Sequence, residues 1–322
     1  MKERIIITGA SGFIGTNLLD YYLLNENIEV LNIDILKPRN VEHLQYWKEV
    51  DICNYDLFEK VVLEFNPDYI VHLAARTDIL GKTIDEYQAN TLGVHNLVKI
   101  CNKLSSLKKL IVASSMLVNK VGHTPSNILD YCPPNAYGQS KVQTELIIQE
   151  SNITQYDYNI IRPTSIWGPW FDTYRNFFEM INNNMYFHFG NKRIYKTYGY
   201  VGNAIHEIVN LLNTDTHNYN FAERIFYIGD YDYYCINDWA DEIAQEYSRS
   251  IKKIPSLIIS CAAIIGDILK SFKISFPMTS FRLKNMQTNN MVNLERTKKI
   301  VPNLPYSRKE GNKITINWIK NH

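Results

Sequence analysis

The stretch RIIITGASGFIG, residues 4–15, decides the fold. Arg4–Thr8 is rich in β-branched residues, which predicts a strand covered on both faces. Three glycines follow at a spacing that lets the chain turn tightly, bring backbone N–H groups close to a diphosphate and begin a helix against the strand. Because this turn follows the first predicted strand, the stretch predicts a dinucleotide-binding site. The predicted contacts in this turn are Gly9, Ser11, Gly12, Phe13, Ile14 and Gly15.

Short apolar runs alternate with helix-like patterns through the first half of the chain. Further strands are predicted at Glu29–Asp34, Tyr69–Leu73, Leu110–Ala113 and Tyr158–Arg162, and helices at Phe13–Leu24, Tyr55–Glu64, Ile84–Leu104 and Tyr137–Ser151. This βαβα alternation predicts an α/β fold with a Rossmann-type, doubly wound parallel sheet. The alternation fades beyond Pro163. We therefore expect a dinucleotide-binding domain at residues 1–165 and a smaller mixed α/β substrate lobe at residues 166–322, parts of which can return to the sheet.

Asp34 indicates which dinucleotide binds. It ends the second predicted strand, about 20 residues after the glycines, where a carboxylate hydrogen-bonds the ribose hydroxyls of NAD. The same carboxylate would repel the extra phosphate of NADP. Lys37 and Arg39 lie nearby and could bind that phosphate, and Asp34 could instead be a turn residue before Pro38. The sequence favours NAD over NADP, and it favours a cofactor contact of Asp34 over a role as a turn residue.

Composition excludes several classes of partner. The chain has 322 residues, 34 Lys and Arg against 33 Asp and Glu, and a net charge of +1. Because nucleic-acid binding depends on a basic surface, this balance points to a small-molecule substrate and no nucleic acid. Eight histidines without a recurring ligand spacing predict no metal site.

Cysteine usage and hydropathy bear on the location of the chain. Five scattered cysteines without a CxxC pair argue against a disulfide framework and fit a reducing, cytoplasmic compartment. No apolar signal region precedes the first strand. The longest apolar run, Leu257–Gly266, is too short to cross a bilayer, so no stable membrane insertion is expected. We predict that it is a buried helix, with peripheral membrane contact as the alternative.

Tyr137 and Lys141 stand four residues apart, on one face of a predicted helix that follows the strand ending near Ser114-Ser115. A free phenol has a pKa of about 10, which is poor for a base at neutral pH. A nearby ammonium and a positively charged nicotinamide could lower it in a poorly solvated site. Ser115 would hydrogen-bond the substrate oxygen. These three residues predict proton transfer at a hydroxyl/ketone pair. The alternative is that Tyr137 and Lys141 lie on the helix surface and do not contact each other.

The ordered motifs resemble those of the extended short-chain dehydrogenase/reductase family, of the NAD-dependent epimerase/dehydratase type. The resemblance runs from Arg4 to Trp318 and includes the glycine turn, Asp51-Ile52, His72–Ala75, Asn90, Ser114-Ser115, Tyr137–Lys141, Arg162-Pro163 and Gly168-Pro169. It implies NAD as cofactor, with Asp51-Ile52 at the adenine and Lys141 also on the nicotinamide ribose. His72 is expected to be structural rather than catalytic. Further cofactor contacts implied by the resemblance are Leu73, Ala74, Ala75, Asn90, Tyr137 and Pro163.

Departures from the family pattern concern the substrate. In the sugar-nucleotide 4,6-dehydratases Asp-Glu follows the catalytic Thr, whereas Met116-Leu117 follow Ser115 here, so water elimination is not expected. Lys196 stands where an Arg would bind a diphosphate, and Lys cannot make the same bidentate contact. Arg282 is a possible second diphosphate ligand or an interfacial residue covering apolar surface. The predicted substrate contacts are Thr77, Ser115, Met116, Ser165, Lys196 and Arg282.

Three functions fit this resemblance. The leading hypothesis is a sugar-nucleotide epimerase-like enzyme for surface polysaccharide or deoxysugar synthesis. The second is a net dehydrogenase or ketoreductase of a sugar, steroid-like or other hydroxylated substrate, since Ile254–Lys270 resembles a feature of the 3β-hydroxysteroid dehydrogenase branch. The third is a redox-sensing dinucleotide binder without catalysis. The resemblance also implies a homodimer packed through helices Ile84–Leu104 and Tyr137–Ser151.

Overall fold

The computed structural model describes residues 2–189, 192–255, 258, 264–267, 269 and 280–322, with the backbone alone at positions 189, 281 and 282. The described strands are β1 (Glu3–Thr8), β2 (Ile28–Asp34), β3 (Trp47–Glu49), β4 (Tyr69–His72), β5 (Lys109–Ala113), β6 (Asp157–Pro163), β7 (Ser165–Trp167), β8 (Phe187–Phe189), β9 (Tyr195–Lys196), β10 (Tyr198–Tyr200), β11 (Ile225–Ile228), β12 (Tyr234–Cys235) and β13 (Lys252–Ile254). The described α-helices are α1 (Phe13–Leu23), α2 (Tyr55–Phe65), α3 (Leu92–Cys101), α4 (Ala136–Glu150), α5 (Asp172–Asn182), α6 (Val201–Asn213), α7 (Ile236–Glu246), α8 (Ser280–Met286), α9 (Glu295–Ile300) and α10 (Arg308–Asn321). Short 3-10 helices lie at Val41–Tyr46, Ile84–Asn90, Met116–Val118 and Phe221–Arg224.

Seven strands form one parallel sheet in the order β11-β6-β5-β4-β1-β2-β3. Ile5, Ile6 and Ile7 in the central strand are at most 2% exposed, because helices cover both faces of the sheet. The order steps outward in both directions from β1, so the crevice at the carboxyl ends of β1 and β4 is where a ligand of this fold lies. The predicted doubly wound sheet is confirmed.

Two strands of the sheet were not predicted from the sequence. β3 has three residues and is partly exposed, so no apolar run marks it. β11 is fully buried and apolar, but it lies in the part of the chain where the alternation fades. β11 pairs with β6, and α6 packs against α1, so segments after residue 165 return to the sheet. The division at residue 165 remains a prediction.

The single helix predicted over Ile84–Leu104 is wrong. The structure has a 3-10 helix at Ile84–Asn90 and then α3, which meet at Thr91 with φ −120° and ψ −75°. Tyr87 has non-helical dihedrals, its ring is fully buried, and its hydroxyl donates to the main-chain oxygen of Asp78 at 2.9 Å. A continuous helix would not allow this anchor, so tertiary contacts override the apolar periodicity.

Two expectations based on apolar residues change with the structure. The two segments of the expected dimer interface carry apolar residues at helical spacing, but Leu97, Ile100, Leu104 and Ile147 are buried in the core of the chain itself, so their apolar character is no evidence for a dimer, and Leu146 is half-buried. The predicted buried helix Leu257–Gly266 lies partly outside the described residues. Its described isoleucines are 51–58% exposed, contrary to the expectation of burial. Among the described residues, no helix is both long and apolar enough to span a membrane.

Candidate active site

The glycine-rich turn lies against the chain that leaves β4. Gly9 has φ +75°, and a Cβ there would stand 2.5 Å from the main-chain nitrogen of Ala74, so only glycine fits. Gly12 is the N-cap residue of α1 and makes no side-chain capping bond. The first-turn N–H groups of α1 therefore meet no cap side chain, an arrangement that suits a diphosphate at a helix N-terminus.

Asp34 is tied to this turn at the carboxyl end of β2. Its two carboxylate oxygens accept the backbone N–H groups of Ser11 at 3.1 Å and Leu36 at 2.9 Å. The Ser11 hydroxyl donates to the Leu36 oxygen at 2.7 Å and accepts from Asn32. Burial raises the pKa of Asp34, and these backbone bonds partly offset that effect. Asp34 is thus held beside the glycine turn, where a ribose would lie.

The end of β4 supplies the opposite wall of the crevice. The N–H of Leu73 donates to the Thr8 carbonyl oxygen at 2.9 Å, and the N–H of Ala74 donates to the Thr8 hydroxyl at 3.3 Å. His72 Nδ1 lies 2.8 Å from the same hydroxyl. Burial, with the Lys141 charge as a smaller contribution, lowers the pKa of His72 to about 3. A neutral, buried His72 suits the structural role expected for it.

Asp51 and Ile52 follow β3 on the far side of the glycine turn. Asp51 is exposed and accepts the Cys53 N–H at 2.8 Å, whereas Ile52 is buried against α3. The Asn96 side chain of α3 donates to the Ile52 oxygen at 2.9 Å, which fixes this loop. An adenine contact of this pair remains a prediction, as do the cofactor contacts of the half-buried Ala75 and Pro163.

Asn90 joins the cofactor side of the crevice to α4. Its amide accepts the Arg76 N–H at 2.9 Å and donates to the Arg76 oxygen at 3.0 Å and to the Ser140 hydroxyl at 2.8 Å. The main-chain oxygen of Asn90 accepts a hydrogen bond from the Thr144 hydroxyl at 2.7 Å. A buried side chain with this many partners orders the loop after β4 against the helix that carries Tyr137.

Ser115 and Tyr137 come together because α4 begins against the short helix Met116–Val118. A Cβ on Gly138 would stand 2.4 Å from the Leu117 oxygen, so the first turn of α4 lies directly on that helix. Ser115 and Tyr137 are each 8% exposed. Burial raises the pKa of Tyr137, and a hydrogen bond with the Ser115 side chain works in the opposite direction. A substrate hydroxyl placed between them would meet both oxygen atoms.

Lys141 lies one turn further along α4 and is 3% exposed. Its ammonium donates to the carbonyl oxygen of Ala113, the last residue of β5, at 2.8 Å. Burial lowers the pKa of Lys141 to about 8, and the charge of Glu145 has a smaller, opposite effect on this pKa. In the chain alone the lysine is fixed by the main chain rather than by the phenol, so a lowered phenol pKa would also require the positive charge of the nicotinamide.

Glu145, one turn after Lys141, is a site residue that the sequence analysis missed. It is fully buried and accepts from both Nε and a terminal nitrogen of Arg162, at 2.8 and 2.7 Å. The hydroxyls of Ser114 and Tyr131 also donate to it, at 2.5 and 2.8 Å. The four-residue spacing Tyr137, Lys141, Glu145 was a usable signal, because it places all three on one helix face.

The predicted substrate contacts other than Ser115 lie in three places. Met116 and Ser165 lie together, with the Ser165 hydroxyl 3.9 Å from the Met116 sulfur. Thr77 is exposed on the loop after β4. Lys196 lies on β9 and donates to the Asn285 oxygen of α8 at 3.1 Å. Arg282 belongs to the same helix, but its side chain lies outside the described part of the structure.

The comparisons with known proteins identify the family. A model of the NAD-dependent epimerase/dehydratase family matches residues 5–222. The chain belongs to this family. It is therefore an enzyme of the type that the sequence resemblance indicated, and the expected NAD dependence agrees with a crevice formed by Gly9, Asp34 and the amides at the start of α1.

Curated relatives differ in what they act on. The chain is 28% identical over 266 residues to N-acetyl-alpha-D-glucosaminyl-diphospho-ditrans,octacis-undecaprenol 4-epimerase of Escherichia coli O157:H7, covering 80% of this chain and 75% of the relative. It is 27% identical over 180 residues to UDP-glucose 4-epimerase of Mycolicibacterium smegmatis, covering 52% of this chain and 57% of that protein.

Solved structures agree on the fold. UDP-glucuronic acid 4-epimerase from Bacillus cereus, in complex with UDP-glucuronic acid and NAD, superposes with a TM-score of 0.74 over 99% of both chains at 21% identity. At this identity the likeness concerns the fold alone.

Proposed function

We propose that this enzyme is an NAD-dependent epimerase that inverts a hydroxyl-bearing carbon of a sugar linked to a diphosphate. The observation that carries the proposal is the burial of Ser115, Tyr137 and Lys141 together at the carboxyl end of β5. NAD, when bound, would supply a hydride acceptor and donor, so that the carbon could be oxidised to a ketone and reduced again from the opposite face.

The side chains of the site handle the proton. Ser115 holds the reacting oxygen in line with the phenol, and Tyr137 removes the hydroxyl proton as the carbon is oxidised. Tyr137 then returns the proton when the carbon is reduced, so no proton is gained or lost over the cycle. Lys141 stabilises the phenolate and, as the resemblance implies, holds the nicotinamide ribose.

Two observations favour epimerisation over elimination and net oxidation. Met116 and Leu117 follow Ser115, and Met116 is buried beside Tyr227 and Leu294, so the position offers no carboxyl group for removing water. Both curated relatives described above are named as 4-epimerases, which favours epimerisation over net oxidation. Shorter matches include dTDP-glucose 4,6-dehydratases, so the case against elimination depends on Met116 and Leu117. In the two epimerase names a diphosphate bears either undecaprenol or a nucleoside, so the diphosphate is shared and the carrier differs. The nucleotide sugar predicted from the sequence is one such substrate.

A net dehydrogenase is the second candidate, because the chain is also 28% identical to D-erythronate dehydrogenase of Haemophilus influenzae over 158 residues, 49% of that protein. The two functions differ in what happens to the cofactor. An epimerase regenerates NAD in every cycle, whereas a dehydrogenase releases one NADH for each product.

The test is turnover of diphosphate-linked sugars with the cofactor monitored at the same time. We expect interconversion of two sugar epimers, detected by chromatography, without accumulation of NADH in solution. Tyr137→Phe should stop interconversion, while Tyr233→Phe, a change at a tyrosine that is 45% exposed, should not. NADH released in proportion to product would instead identify a dehydrogenase.

We also propose a homodimer, a cytosolic location and a division of roles at residue 165, with cofactor binding before it and substrate binding after it. The dimer rests on the family resemblance, and the cytosolic location rests on the scattered cysteines. Cys53, Cys101, Cys132 and Cys235, which lie in the described part of the chain, are free thiols.

A further inference from the structure

A cavity of about 400 Å³ lies between α8 and the segment that leads into β9. Lys192 and Lys284 line it together with Ile264, Leu283 and Thr288. No aromatic residue belongs to its described lining. The cavity thus combines positive charge with aliphatic surface.

Two of the three lysines in or beside this cavity have main-chain partners. Lys192 donates to the Gln287 oxygen and Lys196 donates to the Asn285 oxygen, both at 3.1 Å. Neither these two lysines nor Lys284 forms an ion pair with any carboxylate in the described ranges. Burial lowers the pKa of Lys196, so a bound anion would stabilise its charged form. Ammonium groups without counter-ions suit a diphosphate.

Chain segments next to the cavity also contact the surroundings of Ser115. Leu294, a few residues after α8, packs on Met116, the neighbour of Ser115. The chain between them pairs with β9, because the Thr197 N–H donates to the Asn290 oxygen at 3.0 Å. On the other side, Gly122, in the loop after the short helix that follows Ser115, lies next to Thr288. A sugar at Ser115 could therefore place its diphosphate among the lysines.

Several aliphatic side chains in this part of the chain are exposed. Ile264 lines the cavity and is 57% exposed, and Ile258 and Ile265 are 58% and 51% exposed. Met286 and Met291, at 37% and 48%, are also exposed in the segment from α8 onward. A nucleoside base is usually bound by aromatic stacking and by polar groups that pair with its edge, whereas branched aliphatic side chains suit an isoprenoid chain.

From this arrangement we infer that the diphosphate of the substrate is carried by a polyprenyl lipid rather than by a nucleoside. The lysines bind the diphosphate, and Ile264 and Leu283 contact the first isoprene units. This inference rests on the proposed function for the sugar-diphosphate part, but it concerns the carrier alone and can fail separately.

Binding of carriers without sugar tests the inference directly. The whole 322-residue chain, purified with NAD, is titrated calorimetrically with farnesyl diphosphate, UDP and inorganic diphosphate. We expect farnesyl diphosphate to bind at least about tenfold more tightly than UDP. A tenfold difference in affinity corresponds to the burial of about two methylene groups of the farnesyl chain. Equal affinity, or tighter binding of UDP, would overturn the inference.

Two variants separate the charged part of the site from the apolar part. Lys284→Ala should weaken binding of both farnesyl diphosphate and inorganic diphosphate, while Lys60→Ala, an exposed lysine of α2, should change neither. Ile264→Gln should weaken farnesyl diphosphate by about tenfold and leave inorganic diphosphate unchanged. Its control is Leu24→Gln, at a leucine that is 85% exposed after α1. If Ile264→Gln leaves farnesyl diphosphate binding intact, the isoprenoid contact is wrong.

Other occupants of the aliphatic surface give different results. The enzyme should sediment with phosphatidylcholine vesicles that contain undecaprenyl diphosphate and not with plain phosphatidylcholine vesicles. Equal sedimentation with plain vesicles would mean that the aliphatic surface contacts the membrane. A lower mass of Ile264→Gln than of the unmodified enzyme in light scattering would mean that this surface is an interface between copies of the chain. Either result would overturn the inference.

Turnover distinguishes the carrier from the chemistry. The same amino sugar is offered on farnesyl diphosphate and on UDP. Faster interconversion of the farnesyl substrate supports both proposals. Efficient interconversion of the UDP-sugar alone keeps the epimerase and removes the lipid carrier. Tight binding of farnesyl diphosphate with NADH release instead of interconversion keeps the carrier and removes the epimerase.

Discussion

Glu145 of α4 and Arg162 of β6 form a bidentate ion pair in which both side chains are fully buried. The guanidinium also donates to the Tyr227 hydroxyl at 3.1 Å. The pair connects the helix that carries Tyr137 and Lys141 to β6, which lies next to the edge strand β11. Because Glu145 lies one turn from Lys141, the same carboxylate also stabilises the charge of that buried ammonium.

Glu145→Gln keeps the shape of the side chain and removes its charge, so Arg162 becomes a buried charge without a partner. We predict that the free energy of unfolding falls by about 3–5 kcal/mol, measured by urea denaturation. The pKa of Lys141 should also fall further. The control is Glu59→Gln, which removes the partner of the exposed Lys103 and should have no measurable effect. Similar stability of the two variants would contradict a structural role for the buried pair.

The choice of cofactor should depend on Asp34 and not on Arg39. Arg39 donates to the Trp170 oxygen at 3.0 Å and lies 3.4 Å from Asp172, so it is already engaged away from Asp34. We predict that Asp34→Ser weakens NAD by roughly 10–100-fold, the effect of losing hydrogen bonds to a charged group. Arg39→Ala should leave the affinity for NADP unchanged. Fluorescence titration with both cofactors checks this, and a preference of the unmodified enzyme for NADP would show that the assignment of Asp34 is wrong.

Asp230 should make the stability of the fold depend on pH. Burial raises its pKa to about 6, more than hydrogen bonds from Tyr234, Asn203 and the Tyr200 amide lower it. A carboxyl group whose pKa is higher in the folded chain contributes stability that is complete below its unfolded pKa and is lost as the pH rises through 6. The free energy of unfolding should therefore decline by up to about 3 kcal/mol between about pH 4 and about pH 7 relative to Asp230→Asn.

Denaturation at several pH values checks this difference. Burial, and to a smaller extent the Asp230 charge, raises the pKa of Glu207 well above its usual range. Glu207 titrates in both chains, so the difference between them reports on Asp230 and on its coupling to Glu207. Parallel curves for the two chains would contradict the prediction.

The proposed homodimer should depend on the outer face of α3. Leu92 is 44% exposed there, whereas Leu97 on the inner face is fully buried. We predict that Leu92→Glu gives a monomer of unchanged stability in light scattering. Leu97→Glu should instead destabilise the chain, because it places a charge in the core. A monomeric unmodified enzyme at micromolar concentration would exclude the dimer.

The sequence predicted the parts of the fold that local patterns specify. β1, β2, β4, β5 and β6 are apolar runs bounded by turns, so periodicity was enough to locate them. β3 is too short and too polar for that signal. β11 is apolar, but it lies where the βαβα alternation fades, so its pairing with β6 is visible only in the tertiary structure. The helix break at Thr91 follows from the burial of Tyr87, which no local pattern shows.

The site was predictable to a similar extent. Tyr137 and Lys141 are marked by their spacing on one helix, and the structure places Ser115 beside the phenol. The partner of Glu145 is Arg162, which lies on another element, so spacing alone could not identify the pair. Lys192 and Lys284 were missed because their common cavity depends on a contact between β9 and α8, about 90 residues apart in the chain.

Tyr137 and Lys141 should behave as one catalytic unit. Tyr137→Phe removes only the hydroxyl, so the fold and NAD affinity should persist while turnover falls by roughly 10²–10⁴-fold. Lys141→Ala should reduce both turnover and NAD affinity, because the ammonium is predicted to stabilise the phenolate and to bind the ribose. The double variant should lose less activity than the product of the two single losses, since either change disables the same proton transfer. Steady-state kinetics of the four chains checks this, and Tyr137→Phe with turnover close to that of the unmodified enzyme would contradict the proposed mechanism.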